Sequence, residues 1–150
     1  MFNPVMSPSS ARPIPPEWTP LGETVNTRYY LIGKDVVVVY PHVGSRDDGA
    51  SAWENVEFQM NFARDAGHRC AFLVMITSLT SQDADARRIY ATHMDPKLAF
   101  GAALIAEKPL ARAIASFFTG LSRPKIPTRV FEAPSSALAW IDTLRPPENR

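Results

Sequence analysis

Residues 100–144 read FGAALIAEKPLARAIASFFTGLSRPKIPTRVFEAPSSALAWIDTL, and this stretch decides the fold. The apolar run FGAALIA predicts a buried strand. Lys108-Pro109 then begins a segment whose apolar residues recur at spacings of three and four, which predicts one buried helical face. Two prolines bracket a turn, TRVF predicts a short strand, and Pro134 begins a final helix with an apolar face of its own. The apolar residues of the first helix are Leu110, Ile114, Phe117, Phe118 and Leu121.

The composition predicts one domain without a nucleic-acid partner. The 150 residues are 45% hydrophobic, which is enough for one core, and the chain is too short for two ordinary domains. The formal net charge is +1, from 16 basic and 15 acidic residues. The molecule as a whole therefore has no field that attracts nucleic acid or an anionic membrane surface.

The sequence predicts a cytoplasmic protein without a membrane span. The longest apolar runs, such as CAFLVMI and DVVVVY, have the length of strands and fall well short of the roughly 20 residues that a membrane helix needs. The first residues contain no basic region followed by a continuous apolar stretch, so no secretory signal is predicted. The single cysteine, Cys70, excludes an internal disulfide framework and suits a reducing compartment. Because it opens an apolar strand, we expect a buried and inert thiol.

Three regions follow from the distribution of prolines and charges. Residues 1–22 contain six prolines and predict a Pro-rich disordered arm, because proline removes backbone donors and favours extended conformations. Pro13 to Pro16 also fits a PxxP ligand for a proline-reading module, and that alternative stays open. Residues 23–145 form the predicted domain, and residues 146–150 a polar tail. The apolar residues that are able to attach the arm to the domain are Ile14, Trp18 and Leu21.

The order of elements predicts an α/β domain. TRYYLIG and KDVVVVY, separated by a short Gly-containing turn, predict an N-terminal β-hairpin whose second strand is central in its sheet. The helix SAWENVEFQMNFARDAG has Ser51 and Glu54 as a predicted capping box, Trp53 on its buried face and Gly67 as its stop. A buried strand, CAFLVMIT, leads to a helix with Ser81 as predicted N-cap. The pattern β-β-α-β-α-β-α-β-α predicts a mixed five-stranded sheet with about four helices, in which the later strands are parallel.

No catalytic constellation is visible. The sequence contains no GxGxxG, GxxxxGK[ST], GxSxG or HExxH motif. Asp47 and Asp48 are adjacent in a loop, but neighbouring side chains point in different directions and no further carboxylate stands at ligand spacing. His93 and Asp95 are two residues apart near a helix end and do not face each other. We therefore expect no enzyme activity, no metal and no cofactor.

A basic edge is the one charge asymmetry of the chain. No acidic residue interrupts the set Lys108, Arg112, Arg123, Lys125 and Arg129. Lys108 and Arg112 are four apart at the start of a predicted helix, where an anionic group binds favourably. The end of CAFLVMIT brings Ser78, Thr80 and Ser81 to the same edge of the sheet. Two interpretations stay open: a solvated basic face, or a site for an acidic peptide or an anionic lipid headgroup.

The order of elements and the run GAALIAEKPLARAIASFFTGLSRPKIPTRVFEAPSSALAWI resemble the SpoIIAA-like group of bacterial domains. These domains are relatives of the STAS domains of anti-sigma-factor antagonists and are close in shape to the lipid-binding Sec14 type. The resemblance extends from about Thr27 to Leu144 and implies a SpoIIAA/STAS-like fold. It also implies a non-catalytic regulatory or protein-interaction module with a protein partner; the alternative function is a small-ligand or lipid-binding domain that uses the basic helix N-terminus.

The resemblance further implies a candidate phospho-acceptor. In STAS antagonists, a partner kinase phosphorylates a serine at the start of the helix that follows the third strand, and this controls partner binding. The matching stretch here is Ser78 to Ser81, with Ser81 nearest the helix, although the family pattern Asp-Ser-x-Gly or Asp-Ser-x-Thr is absent. Homodimer formation is a further expectation that the sequence leaves open.

Overall fold

The computed structural model describes residues 13–109, 112–113 and 124–150. Eight strands and three α-helices lie within these ranges. The strands are β1 (Thr19–Glu23), β2 (Thr27–Ile32), β3 (Val36–Pro41), β4 (Ser45–Asp47), β5 (Cys70–Met75), β6 (Leu79–Gln82), β7 (Ala99–Ile105) and β8 (Thr128–Phe131). The helices are α1 (Gly49–Ala66), α2 (Ala84–His93) and α3 (Pro134–Leu144). The helix predicted from Leu110 to Leu121 falls mainly outside the described residues.

The main sheet has the order β1-β2-β3-β5-β7-β8, and it confirms the predicted mixed α/β class. β1, β2 and β3 pair antiparallel, whereas β3, β5, β7 and β8 pair parallel, as expected for strands that alternate with helices. The predicted hairpin is β2-β3, with Gly33 in the left-handed region (φ 64°) at its turn. The sheet has six strands where five were predicted, and a separate parallel ribbon of β4 and β6 is added.

Both faces of the central strands are buried. On β3, Val37 and Val39 pack into a core with α1 and α2, whereas Val36 and Val38 pack into a second core with α3. Successive side chains of a strand point to opposite faces, so a strand covered on both sides is apolar without interruption. The run VVVV therefore identified the central strand correctly.

The predicted disordered arm does not extend to residue 22. Residues 19–23 form edge strand β1, and Trp18 packs against Tyr30 with ring centroids 5.8 Å apart. Pro20 is tolerated because an edge strand leaves one side of its backbone unpaired. Ile14, Trp18 and Leu21 all pack against the cores, which is the attachment that their apolar character suggested. Residues 1–12 lie outside the described residues.

The helix ends differ in detail from the predictions. Asp48 is the N-cap of α1 and forms a capping box with Ser51, so Ser51 with Glu54 was the wrong pair. Gly67 ends α1 in the left-handed conformation, as predicted. Trp53 is 44% exposed and packs edge-on against the ring of His93, so it is not part of the buried face.

The C-terminal residues pack against the end of the main sheet at which β3 begins. Arg145 donates to both carboxylate oxygens of Asp35 at 2.8 and 3.2 Å, and the Asn149 amide donates to the same carboxylate at 3.0 Å. Asn149 is 3% exposed, so the predicted polar tail is packed onto the domain. We call Asp35, Arg145 and Asn149 the C-terminal clasp.

The environments of Asp35 and Cys70 have opposite effects on ionisation. Burial opposes ionisation of Asp35, but hydrogen bonds from Arg145 and Asn149 and the charge of Arg145 outweigh it, so the pKa of Asp35 lies below its usual value. Burial, with a smaller contribution from the charge of Asp35, raises the pKa of the Cys70 thiol to about 12. The thiol is completely buried, as predicted.

We expect Arg145→Met to lower the free energy of unfolding at pH 7 by about 3 kcal/mol, because the buried Asp35 carboxylate loses its cationic partner. Because the pKa of Asp35 is lowered in the folded state, its ionised form stabilises the fold fully above the unfolded pKa of about 4. This stabilisation is lost as the pH falls through the folded pKa. The difference between the two proteins is therefore expected to shrink below about pH 4. Urea unfolding from pH 7 to pH 3 measures it.

Arg88→Met is the matched control. Arg88 forms an exposed ion pair with Asp85, and its removal is expected to change the free energy of unfolding by less than about 0.5 kcal/mol. A loss in Arg145→Met that does not depend on pH would show that the clasp acts through packing and not through charge.

Candidate functional site

Loops from four parts of the chain lie side by side where the parallel strands end. The amide of His42 donates to the Asn26 carbonyl at 2.8 Å, and the amide of Gly44 donates to the Ser78 carbonyl at 3.0 Å. The amide of Glu107 donates to Thr77 Oγ1 at 2.9 Å. These bonds join residues 24–26, 42–44, 77–81 and 107–109 into one surface, which we call the carboxyl-end surface.

Two apolar side chains are exposed on the carboxyl-end surface. Val25 is 72% exposed and Val43 is 47% exposed. Their backbones are fixed: the Val25 amide donates to the Glu54 carboxylate at 3.1 Å, and the residues on either side of Val43 make the loop contacts described above. The surface therefore presents apolar groups on ordered loops.

The predicted hydroxyl residues lie on the same surface. Ser78 is half-buried, and Thr80 and Ser81 are exposed in β6, which pairs with β4. Ser81 does not cap α2, because Asp83 does so by accepting a hydrogen bond from the Ala86 amide at 2.8 Å. The prediction of a helix N-terminus at Ser81 was wrong, since Asp and Ser are both good caps and the helix begins after Asp83.

The predicted basic pair begins at the end of β7. Lys108 is exposed, and the Arg112 amide donates to its carbonyl at 2.9 Å. The Arg112 guanidinium makes an ion pair with Glu132, an acid that lies just beyond the basic stretch in sequence. Glu132 therefore offsets part of the positive charge that the sequence predicted. Arg123 lies outside the described residues.

The hydroxyl residues and the basic pair meet through Thr77. Its hydroxyl donates to the Ile105 carbonyl at 3.4 Å and accepts from the Glu107 amide. The ends of β5 and β7 are thereby held together, as expected at the carboxyl edge of a parallel sheet. Thr77 was not among the predicted residues.

A buried hydrogen-bond network centred on Asn55 lies beneath the surface. Asn55 is 1% exposed, and its side-chain oxygen accepts from the hydroxyls of Thr24 and Tyr29 at 2.5 and 2.8 Å. Its amide nitrogen donates to Asn26 at 2.9 Å and to the Tyr90 hydroxyl at 3.1 Å. One side chain of α1 thus bonds to the β1-β2 loop, to β2 and to α2. We call this set the Asn55 network.

Asp47 extends the Asn55 network towards β6. Its carboxylate accepts from Ser51 Oγ at 2.5 Å, from Asn26 Nδ2 at 3.3 Å and from Gln82 Nε2 at 3.3 Å. Asp47 is 5% exposed, and these three donors are neutral groups. The pair Asp47 and Asp48 thus has a structural role in the network and in the cap of α1.

Burial and the negative charge of Asp47 keep the two network tyrosines protonated. Burial is the main cause that raises the pKa of Tyr29 and Tyr90 well above the usual value, and the charge of Asp47 acts in the same direction. Both phenols are therefore neutral donors at physiological pH.

One feature of the sequence indicates this network. Asn55 and Gln59 are four residues apart on α1 and share its buried face with Val56 and Met60. Polar residues inside an apolar helical stripe indicate buried hydrogen bonding. The sequence-based prediction missed this signal because it placed Trp53 on the buried face of the helix, whereas Trp53 is exposed.

An apolar cavity of about 60 Å³ adjoins the Asn55 network on the face of the sheet that α1 and α2 cover. Its walls include Val39, Phe72, Val74 and Leu104, and its polar lining includes Asp47, Gln82 and Tyr90. The described residues that line it contain no lysine, arginine or histidine.

The described residues show no arrangement that binds a metal by itself. Among them, no group of three His, Cys, Asp or Glu side chains is close enough to hold an ion. His93 is exposed and packs against Trp53. His42 Nε2 lies 3.6 Å from Glu23 Oε1. Within the same ranges, no helix has the length and apolar character to cross a membrane.

The architecture is that of the SpoIIAA-like α/β fold. A solved structure of the anti-sigma factor antagonist SpoIIAA in its unphosphorylated form aligns with this chain at a TM-score of 0.50 and 12% sequence identity. The alignment covers 77% of this chain and 97% of the SpoIIAA chain. At this identity the likeness shows the fold alone, and it confirms the fold that the sequence predicted.

The sequence itself identifies the family. Residues 30–145 match the model described as "Domain of unknown function (DUF7793)", and the chain belongs to that family. No curated protein sequence matches the chain.

We expect Asn55→Ala to lower the free energy of unfolding by about 3 kcal/mol, because it removes four hydrogen bonds of a buried side chain. Asn61→Ala, on the exposed side of the same helix, is the control and is expected to change it by less than about 0.5 kcal/mol. Urea unfolding of the two variants measures both values. Similar losses would mean that the Asn55 network contributes little beyond helix propensity.

Proposed function

We propose that this chain is a non-catalytic regulatory module of the SpoIIAA/STAS-like kind, whose protein partner binds the carboxyl-end surface. The observation that carries the proposal is the exposure of Val25 and Val43, at 72% and 47%, on loops fixed by hydrogen bonds. Exposed apolar groups on ordered backbone favour binding, since little conformational entropy is lost when the partner covers them.

Charges on either side of these valines orient the partner. Glu23 and Glu54 lie on the side of the β1-β2 loop, where they contact His42 and the Val25 amide respectively. Lys108 lies on the side of β7 together with Arg112, whose charge Glu132 partly offsets. A partner with the complementary arrangement of charges binds in one orientation. Ser78, Thr80 and Ser81 supply hydroxyl groups between the two sides.

Ser81 is the proposed phospho-acceptor of this module because its side chain is exposed in β6. Arg46 is its cross-strand partner in β4, and Asp83 follows it closely and already occupies the cap of α2. The negative charge that a phosphate on Ser81 adds is expected to disfavour an acidic partner at this surface. The anti-sigma factor antagonist named in the structural comparison supports a regulatory role through the shared fold.

We expect the double variant Val25→Asp/Val43→Asp to lose its partner without losing stability, since both side chains are already exposed. Affinity capture from an extract of the native organism, with quantitative mass spectrometry, compares it with wild type. Ala139→Asp, an apolar-to-acid change at an exposed position of α3, is the matched control and is expected to retain the partner. Identical retention by wild type and the double variant, or retention by neither, would exclude this docking surface.

A second function, binding of a small ligand, is favoured by the cavity of about 60 Å³. The basic edge favours it less than the sequence indicated, because Arg112 pairs with Glu132. A cavity of this size is also too small for a lipid acyl chain, since about 150 Å³ is needed to enclose benzene. The ligand is therefore a small molecule.

A further inference from the structure

The cavity has two chemically distinct parts. The part of its lining that comes from β3, β5 and β7 is apolar and includes Val39, Phe72, Val74 and Leu104. At its polar end, the structure places the carboxylate of Asp47, the amide of Gln82 and the hydroxyl of Tyr90. Such a combination of apolar walls with a few polar groups is typical of small-molecule sites.

The polar end has an unused hydrogen-bond acceptor. The side-chain oxygen of Gln82 is buried, and no group of the described residues donates to it. The other end of the same amide is fixed, because Gln82 Nε2 donates to Asp47 Oδ2 at 3.3 Å. A buried acceptor without a donor destabilises the empty site, and a ligand that donates to it recovers that free energy.

The charge at the polar end is negative. The Asp47 carboxylate accepts from the neutral side chains of Ser51, Asn26 and Gln82, and Tyr90 also hydrogen-bonds to it. Arg87 donates to the main-chain carbonyl of Gln82 at 2.7 Å but does not line the cavity. No lysine, arginine or histidine is among the described lining residues. A cationic donor therefore complements the polar end better than a neutral one, and an anion is repelled.

The volume limits the apolar part of the ligand. A volume of about 60 Å³ is well below the roughly 150 Å³ that encloses benzene, and it suits an alkyl group of about three carbons.

We propose that this cavity binds short aliphatic primary ammonium compounds. The alkyl group packs between Val39, Phe72 and Leu104, and the ammonium group donates to Gln82 Oε1 and to Asp47. The inference rests on the small-ligand function and is independent of the docking surface, which involves other residues.

Titration with n-propylammonium, 1-propanol and propionate, followed by amide and methyl NMR spectra, tests the proposal. We expect millimolar binding of n-propylammonium, with shifts of the Gln82 side-chain amide and the methyl groups of Val39, Val74 and Leu104. Binding of 1-propanol is expected to be about tenfold weaker, since it donates one neutral hydrogen bond, and propionate is expected not to bind. Ammonium chloride without an alkyl group controls for ionic strength.

Two variants locate the site. Ala102→Leu adds a larger apolar side chain to the lining from β7 and is expected to abolish binding of n-propylammonium. Ala139→Leu makes the same change at the surface of α3 and is expected to bind like wild type. Gln82→Met keeps the length of the side chain but removes the acceptor, and it is expected to weaken binding about tenfold.

Each outcome decides between the alternatives. Binding of 1-propanol or propionate without n-propylammonium would retain a small-ligand site and overturn the proposed chemistry. An absence of shifts with all three probes would overturn both, and would leave the cavity to water. Binding that survives in Ala102→Leu would also overturn the proposal, because it places the amine elsewhere.

Discussion

The hydrogen bonds of Asn55 hold together the end of the molecule where the candidate surface lies. A single buried amide bonds to the β1-β2 loop, to β2 and to α2. Such a network is stable only when all its members are satisfied together. The position of α1 against α2 and the conformation of residues 24–26 therefore depend on one another.

This dependence explains why an ordered surface forms from loops. Residues 24–26, 42–44 and 77–81 bond to one another by main-chain hydrogen bonds, and the Asn55 network fixes the first of them from below. Loops usually carry function when a rigid scaffold positions them. Here the scaffold is the set of parallel central strands, which are buried on both faces, and the surface at their carboxyl ends exposes two valine side chains.

The main sheet was predictable because its signals are long and repeated. The uninterrupted valines of β3 predict a strand that is buried on both faces, and the helical period of α1 predicts a helix with one buried face. The ribbon of β4 and β6 was not predicted, since three or four residues are too few to show a period. The N-cap of α2 was misplaced because Ser81 and Asp83 are both suitable caps. Strand β1 was not predicted because it contains Pro20. Proline is tolerated in an edge strand, but the sequence alone does not show which strand lies at the edge of the sheet.

The candidate surface was predictable in position but not in chemistry. The end of an apolar strand placed Ser78 to Ser81 at the carboxyl edge. The exposure of Val25 and Val43 was not predictable, because the sequence of a loop does not show whether an apolar side chain in it is buried or exposed. The Asn55 network and the charge of Glu132 opposite Arg112 both depend on residues that are distant in sequence.

The C-terminal clasp has a consequence for how the chain folds during synthesis. Asn149 bonds to Asp35 across a separation of 114 residues, so this contact closes nearly the whole domain into one loop. The central strands β3 and β5 are synthesised early, yet the carboxylate beside them stays without its partners until Arg145 and Asn149 have left the ribosome. Contacts between residues so distant in sequence form late in folding, because closing the long loop between them costs entropy before the contact stabilises the chain. The nascent domain therefore carries an unpaired acid at the start of β3 until Arg145 and Asn149 emerge.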